Sequence, residues 1–245
     1  MEEIKQKKES WFKKWCLVII LSLSLVIMIV DTTMINVSIK NVVTDLNTDI
    51  KSVQWAITIY SLIMAAFMLI GGRIGDLYGR KKAFILGAII YGVGTLLAAV
   101  SPNITVLIVG WSLIEGIGAA LMMPATVSLM MATYRGGDRK IAFGIWGGMA
   151  GAAGAFGPLF GGYMTTNYSW RLGFALEIIL VILIVSFSFL IKESRESKKE
   201  TIDYFGMVLS ALGFATMVYG FIEASTYGWW KAKKIYQIGP WHLDI

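Results

Sequence analysis

The chain is short of charge. Asp, Glu, Lys and Arg make up 16% of its 245 residues, against about 25% in soluble domains, too few to coat a surface that faces water. It has one cysteine, Cys16, which excludes an internal disulfide framework, and one histidine, His242, which leaves no usual metal cluster. With no His/Cys cluster and no nucleophile signature, an intramembrane enzyme has no support, and no cofactor or metal is expected. What the chain has instead is apolar length: 56% of it is hydrophobic, drawn out in long runs. Its net charge of +6 would suit nucleic acid, but the basic residues cluster in short segments between those runs. Membrane topology demands that placement, so a lipid bilayer, and no nucleic acid, is the expected partner.

A membrane-spanning helix needs about 20 mostly apolar residues. Seven candidates lie near 15–37, 54–72, 83–100, 104–131, 141–164, 172–191 and 204–223. The first has a basic flank (Lys13, Lys14) like a secretory signal, but Asp31-Thr32-Thr33-Met34 follows its apolar run where a small-x-small cleavage site would stand. It reads as a span. With the N-terminus in the cytoplasm, the inner segments hold sixteen Lys and Arg and the outer segments six. That asymmetry decides for N-inside and opposes a seven-helix receptor, whose N-terminus lies outside. The organisation expected is all-α: a basic cytoplasmic tail (1–14), a six-helix bundle (15–191), a cytoplasmic linker (192–203), a seventh helix (204–223) and an outer tail (224–245). Three Asn-x-Ser/Thr triplets (Asn36, Asn103, Asn167) match a glycosylation pattern by chance, because Asn36 falls in or beside a span and the outer loops are short.

The residues that break the apolar pattern carry the chemistry. Asp31 lies about 24 Å along the first helix from Trp15, at a rise of 1.5 Å per residue. An acid at depth costs about 2.5–3.5 kcal/mol, so Asp31 should face a cavity or a partner, where it is a candidate to exchange protons; a hydrogen bond to a neighbouring helix is the plainer alternative. Glu115 is a second acid at depth, on one face with Ser112, Ala119 and Met122 by i, i+3, i+4 spacing. It either handles protons or cations on a cavity wall or is a neutral acid bonded to Ser112 or a neighbouring helix. Glu177, seven residues past Trp170, and Glu223, at the outer end of the seventh span, read as reaching the interface. Gly72-Arg73-Ile74-Gly75-Asp76-Leu77-Tyr78-Gly79-Arg80-Lys81-Lys82 reads as a tight loop at the cytoplasmic surface, with Asp76 and Arg80 an i, i+4 pair. Glycines recur at three- and four-residue steps along the fifth span (Gly144, Gly147, Gly148, Gly151, Gly154, Gly157, Gly161, Gly162), a stripe that lets backbones approach where lipid supplies no hydrophobic drive. Pro158 bends that helix. Met34, Met64, Met122 and Met123, with Ser112, are candidate walls of a substrate cavity, methionine being adaptable, though plain packing is its commoner use.

Four of these segments, in order, resemble motifs of the major facilitator superfamily. Gly72-x-x-x-Asp76-x-x-Gly79-Arg80 resembles the loop after the second helix, although Leu77 stands where the pattern has arginine. Asp31-Thr32-Thr33-Met34-Ile35-Asn36-Val37-Ser38 resembles the first-helix motif of the fourteen-helix drug:proton antiporters. Ser112-x-x-Glu115-Gly116-x-Gly118-Ala119-Ala120 resembles the fourth-helix motif, with serine and glutamate replacing its arginine and glutamine. Gly154-x-x-Gly157-Pro158-x-x-Gly161-Gly162 resembles the antiporter motif of the fifth. The resemblance implies a proton-coupled efflux transporter in the plasma membrane that exports small hydrophobic or cationic compounds. It places coupling on Asp31, an inner gate latch on Gly72, Asp76, Gly79 and Arg80, and a hinge on Gly154, Gly157, Pro158, Gly161 and Gly162. Such transporters have two bundles, and only the first is recognised here. The chain therefore reads as an N-terminal half or fragment that needs a C-terminal half or a second copy. The alternative is a non-transporting remnant, assembly partner or regulatory half-protein.

Overall fold

The computed structural model describes residues 11–194, 203–229, 236–238 and 241–243. Among the described residues seven long helices follow one another: α1 (Trp11–Asp45), α2 (Ile50–Tyr78), α3 (Arg80–Ala99), α4 (Ile104–Thr133), α5 (Gly136–Asn167), α6 (Trp170–Ser188) and α7 (Tyr204–Tyr227). A two-stranded antiparallel hairpin, β1 (Tyr236–Ile238) with β2 (Trp241–Leu243), pairs Tyr236 with Leu243. Short polar residues start the helices. The carboxylates of Asp49 and Asp203 accept from the backbone N–H of Ser52 and Gly206, Asn103 Oδ1 accepts from Val106 N and Ser169 Oγ from Arg171 N, each satisfying an otherwise orphaned amide.

Six of the seven helices are long and apolar enough to cross a membrane; Gly136–Asn167 is the exception, since glycine adds length without hydropathy. The helices outrun the apolar runs expected from sequence. Residues 72–78 continue α2, and only Gly79, at φ +118°, separates it from α3. The polar stretch at the membrane surface is thus helical, because a helix satisfies its own backbone and needs no loop to leave hydrocarbon.

Helix α1 packs along α5 and α6, α3 along α4 and α6, and α2 along α4. The core between them holds the fully buried Tyr60, Tyr91, Trp111, Trp170 and Phe174. Small residues allow the close α3–α4 crossing: a Cβ on Gly118 would meet the backbone of Tyr91 and Gly87. Helix α7 packs on α2, and none of its apolar window is buried.

Within α4, residues Ile108–Glu115 form a π-helical segment. Its wider turn changes the register of the side chains. Ser112 Oγ donates to Ala56 O on α2 at 2.7 Å, while Glu115 turns to α3. The two residues share a helix face in the sequence pattern but reach different neighbours.

Candidate functional site

Asp31, Glu115 and Glu177, on α1, α4 and α6, meet in the middle of the bundle. One carboxyl oxygen of each lies within 4.8 Å of the other two. Asp31 and Glu115 are wholly buried and Glu177 is 6% exposed. An acid on a lone bundle would be expected to lie against lipid or a partner chain. These acids instead point into their own bundle, and neighbouring helices supply the partners.

Each carboxyl is held by a neutral donor. Trp111 Nε1 donates to Asp31 Oδ2 at 2.6 Å, Thr95 Oγ1 to Glu115 Oε2 at 2.9 Å, and Tyr91 OH to Glu177 Oε1 at 2.7 Å. The other oxygen of each, Asp31 Oδ1, Glu115 Oε1 and Glu177 Oε2, has no donor. The Tyr60 hydroxyl is buried without a partner. Its ring stacks on Trp111, with centroids 5.0 Å apart. At an effective dielectric of 20, two charges 4.8 Å apart repel by about 3.5 kcal/mol. The three carboxyls therefore cannot all be ionised at once unless a cation lies among them.

Glu177 departs from the position its sequence suggests. Its distance from Trp170 suggested the interface, yet α6 turns it inward onto Tyr91. The local signal that would find it is an acid one turn from Phe174 and Val181, both core residues on the same α6 face.

The cytoplasmic motif forms a second polar centre. Asp76 Oδ1 accepts from Arg80 Nε at 2.9 Å and pairs with Nη2 at 2.8 Å. The segment after α6 docks on the start of α3: Arg80 N donates to Ser194 O at 2.8 Å, Lys81 N to Glu193 Oε1 at 3.0 Å and Lys81 Nζ to Phe189 O at 2.9 Å. Gly79 leaves the space that the Glu193 carboxylate occupies, 2.7 Å from where a Cβ would stand. Gly72 lies beside Pro124 of α4.

The glycines of α5 divide between two faces. A Cβ on Gly157 would meet Thr33 and Val30 of α1, and one on Gly161 would meet Met34 at 2.8 Å. Gly144, Gly147, Gly148, Gly151, Gly154 and Gly162 have nothing within 4 Å of that position among the described residues. Pro158 lies inside the helix. The expected cavity residues are dispersed. Met34 is buried between α1, α5 and α6, Met122 is buried against Gly87 of α3, and Met123 is partly buried. Of the five, Met64 lines a cavity of about 940 Å³ between α2 and α7, with Met68, Asp76, Met207 and Phe214.

The profile of the Major Facilitator Superfamily matches residues 21–229. The chain is 32% identical over 217 residues to the puromycin resistance protein of Streptomyces alboniger, covering 88% of this chain and 42% of that protein. It is 30% identical to the methylenomycin A resistance protein of Bacillus subtilis, over 86% and 45% of the two. To the tetracenomycin C resistance and export protein of Streptomyces glaucescens it is 26% identical, over 89% and 40%. Among solved structures, a peptide transporter in complex with sulfate superposes with a TM-score of 0.66 at 17% identity, over 90% of this chain and 47% of that one, which shows the shared fold. The chain spans less than half the length of these relatives. It belongs to the Major Facilitator Superfamily, a family of transporters rather than of enzymes, and its sequence is similar to the drug-resistance members.

Proposed function

We propose that this chain is the first-bundle half of a proton-coupled exporter of small hydrophobic or cationic compounds, with its N-terminus in the cytoplasm of a plasma membrane. The observation that carries the reading is the buried carboxyl cluster of Asp31, Glu115 and Glu177, with neutral donors on one oxygen of each and none on the other. Three acids at this spacing need protons or a cation to offset their repulsion, so they can bind and release positive charge as the surroundings change. Export by antiport then follows if a cationic compound and a proton compete for the same negative centre. The resistance named for the relatives supports the substrate class.

Alternating access rocks one bundle against another around a central site. The chain is therefore expected to act with a second bundle: a C-terminal half, joined or separate, or a second copy. The Asp76–Arg80 pair, with Gly72 and Gly79, is assigned to the inner gate, and the face of α5 bearing Gly154 and Gly162 to the hinge. The test is dye efflux against an imposed pH gradient, in vesicles holding the full transporter with wild-type, Asp31→Asn or Glu115→Gln first bundles. The proposal expects loss of gradient-driven efflux in Asp31→Asn and a shifted proton dependence in Glu115→Gln. Efflux driven equally well in both variants overturns it.

A further inference from the structure

We infer that Trp111 is a positioning residue of the carboxyl cluster: its indole N–H holds Asp31, its ring is held by Tyr60, and it follows the charge that Asp31 carries. This role presupposes that the cluster is the coupling site and names the residue that sets the geometry of Asp31 within it. Trp111 is wholly buried in α4. Its Nε1 donates to Asp31 Oδ2 on α1 at 2.6 Å. Its ring lies on that of Tyr60 on α2, with centroids 5.0 Å apart and planes inclined by 13°. The other oxygen of Asp31, Oδ1, has no donor. A buried indole N–H needs a partner. Here the partner is an acid that can change charge, where a backbone carbonyl would have offered a fixed acceptor.

The local backbone explains how α4 presents this side chain. Trp111 lies in the π-helical segment Ile108–Glu115, and three consecutive residues of that segment meet three different helices. A Cβ on Gly110 would stand 2.6 Å from Leu97 Cβ of α3, Trp111 reaches Asp31 of α1, and Ser112 bonds Ala56 O of α2. One turn on, a Cβ on Gly116 would stand 3.1 Å from Ile63 of α2. Helix α4 is therefore wedged against its neighbours on both sides of Trp111, and the indole cannot tilt without displacing the Tyr60 ring.

Charge sets the strength of the bond. A hydrogen bond to an ionised carboxylate is roughly twice as strong as one between neutral groups, so the hold on the indole tightens when Asp31 is ionised and slackens when it takes a proton. The titratable groups gathered about Asp31 are Glu115 of α4 and Glu177 of α6. Tyr60 of α2 meets it through Trp111, Tyr91 of α3 through Glu177, and α5 faces α1 with Gly157 and Gly161. Of the three acids, Asp31 is the one bonded to Trp111.

The experiment is a pH titration of tryptophan emission on the purified full chain in detergent. The chain has nine tryptophans, and the difference between wild type and Trp111→Phe isolates the signal of Trp111. That signal should change with pH. Asp31→Asn keeps an acceptor for the indole but cannot change charge, and should abolish the change. Tyr60→Phe keeps the stacked ring and should retain it. Tyr60→Leu removes the ring; a hydrogen bond to a charged group is worth about tenfold or more in an equilibrium constant, and loss of its alignment should move the midpoint by roughly threefold or more in proton concentration. Asp49→Asn, at a distant helix cap, should match wild type. If Trp111→Phe does not fold, Asp31→Asn and the two Tyr60 variants carry the test with Trp111 in place, read on the pH-dependent part of the whole emission. A Trp111 signal that is flat with pH, one that persists in Asp31→Asn, or a Tyr60→Leu response equal to that of Tyr60→Phe overturns the assignment and leaves Trp111 as core packing. In the full transporter, Trp111→Phe should move the proton dependence of dye efflux about tenfold. Wild-type efflux indifferent to the pH gradient, with the emission results as expected, defeats the exporter reading alone. Gradient-driven efflux with the same proton dependence in wild type and Trp111→Phe defeats the positioning role alone.

Discussion

The spacing of α3 and α4 sets the geometry of Glu115, and a methyl group tests it. In Gly94→Ala the new Cβ would stand 2.5 Å from Glu115 N, 2.6 Å from Glu115 Cβ and 2.6 Å from Gly110 O. Two of these three are backbone atoms, so no rotamer change relieves the overlap. The helices must part by roughly an ångström to reach ordinary contact, and overpacking of this kind costs about 1–3 kcal/mol. Replacing a helical glycine returns about 0.5–1 kcal/mol of backbone entropy, which leaves a net loss of about 1–2 kcal/mol. For a chain of this size that is roughly a 2–8 °C fall in unfolding midpoint. Gly148→Ala is the matched control, because nothing lies within 4 Å of its Cβ position. It receives the entropy term without the overlap and should rise by about 1–4 °C. The assay is thermal unfolding of the purified chain in detergent, followed by circular dichroism. If Gly94→Ala is as stable as wild type, or gains as Gly148→Ala does, the close α3–α4 approach is wrong, and with it the placement of Glu115.

Three further predictions address other contacts. Tyr91→Phe removes the donor to Glu177 Oε1 and leaves a buried carboxyl without its partner, at a cost of about 1–3 kcal/mol; Glu177→Gln keeps an acceptor for Tyr91 and should cost less in the same unfolding assay. Glu193→Ala frees the Lys81 N–H at the start of α3 and should cost about 0.5–1 kcal/mol as a lost helix cap, read as faster amide exchange over the first turn of α3 with the rest of the helix unchanged. Asp49 caps α2, and the Ser52 backbone amide holds its carboxyl below the usual carboxylate range. A lowered folded value gives stability that is present at neutral pH and is lost as pH falls from about 4 downward; amide exchange at the start of α2 should quicken there in wild type and stay flat in Asp49→Asn, whose amide oxygen still accepts.

Much of this architecture is legible in the residues. The long apolar runs mark the helices, and the i, i+4 spacing of Asp76 and Arg80 yields the pair that the structure shows. Polar residues at depth marked Asp31 and Glu115, because an acid in an apolar run is conspicuous. Glu177 is equally conspicuous, yet its sequence position points to the interface. The reason is that hydrophobic periodicity loses its phase in lipid. In water the apolar face of a helix points inward; in a bilayer both faces are apolar, so the pattern does not say which side of α6 meets α3. The contacts that decide it join residues far apart in sequence, Tyr91 with Glu177 and Trp111 with Asp31. The same loss of phase hides the division of the α5 glycines into two that touch α1 and six with no neighbour within 4 Å among the described residues. The π-helical segment left no compositional mark, and it sends Ser112 and Glu115 to different helices. The docking of Glu193 on α3 joins residues 112 positions apart and has no local signal.

The central claim is that three acids deep in the bundle act as one charge-exchanging centre. Its most direct test is infrared difference spectroscopy of the protonated-carboxyl band, recorded on the purified chain across a pH titration with Asp31→Asn, Glu115→Gln and Glu177→Gln alongside. The account predicts that each single amide substitution alters the titration of the two acids that remain. Three independent titrations, each removed by its own substitution without effect on the others, would contradict it.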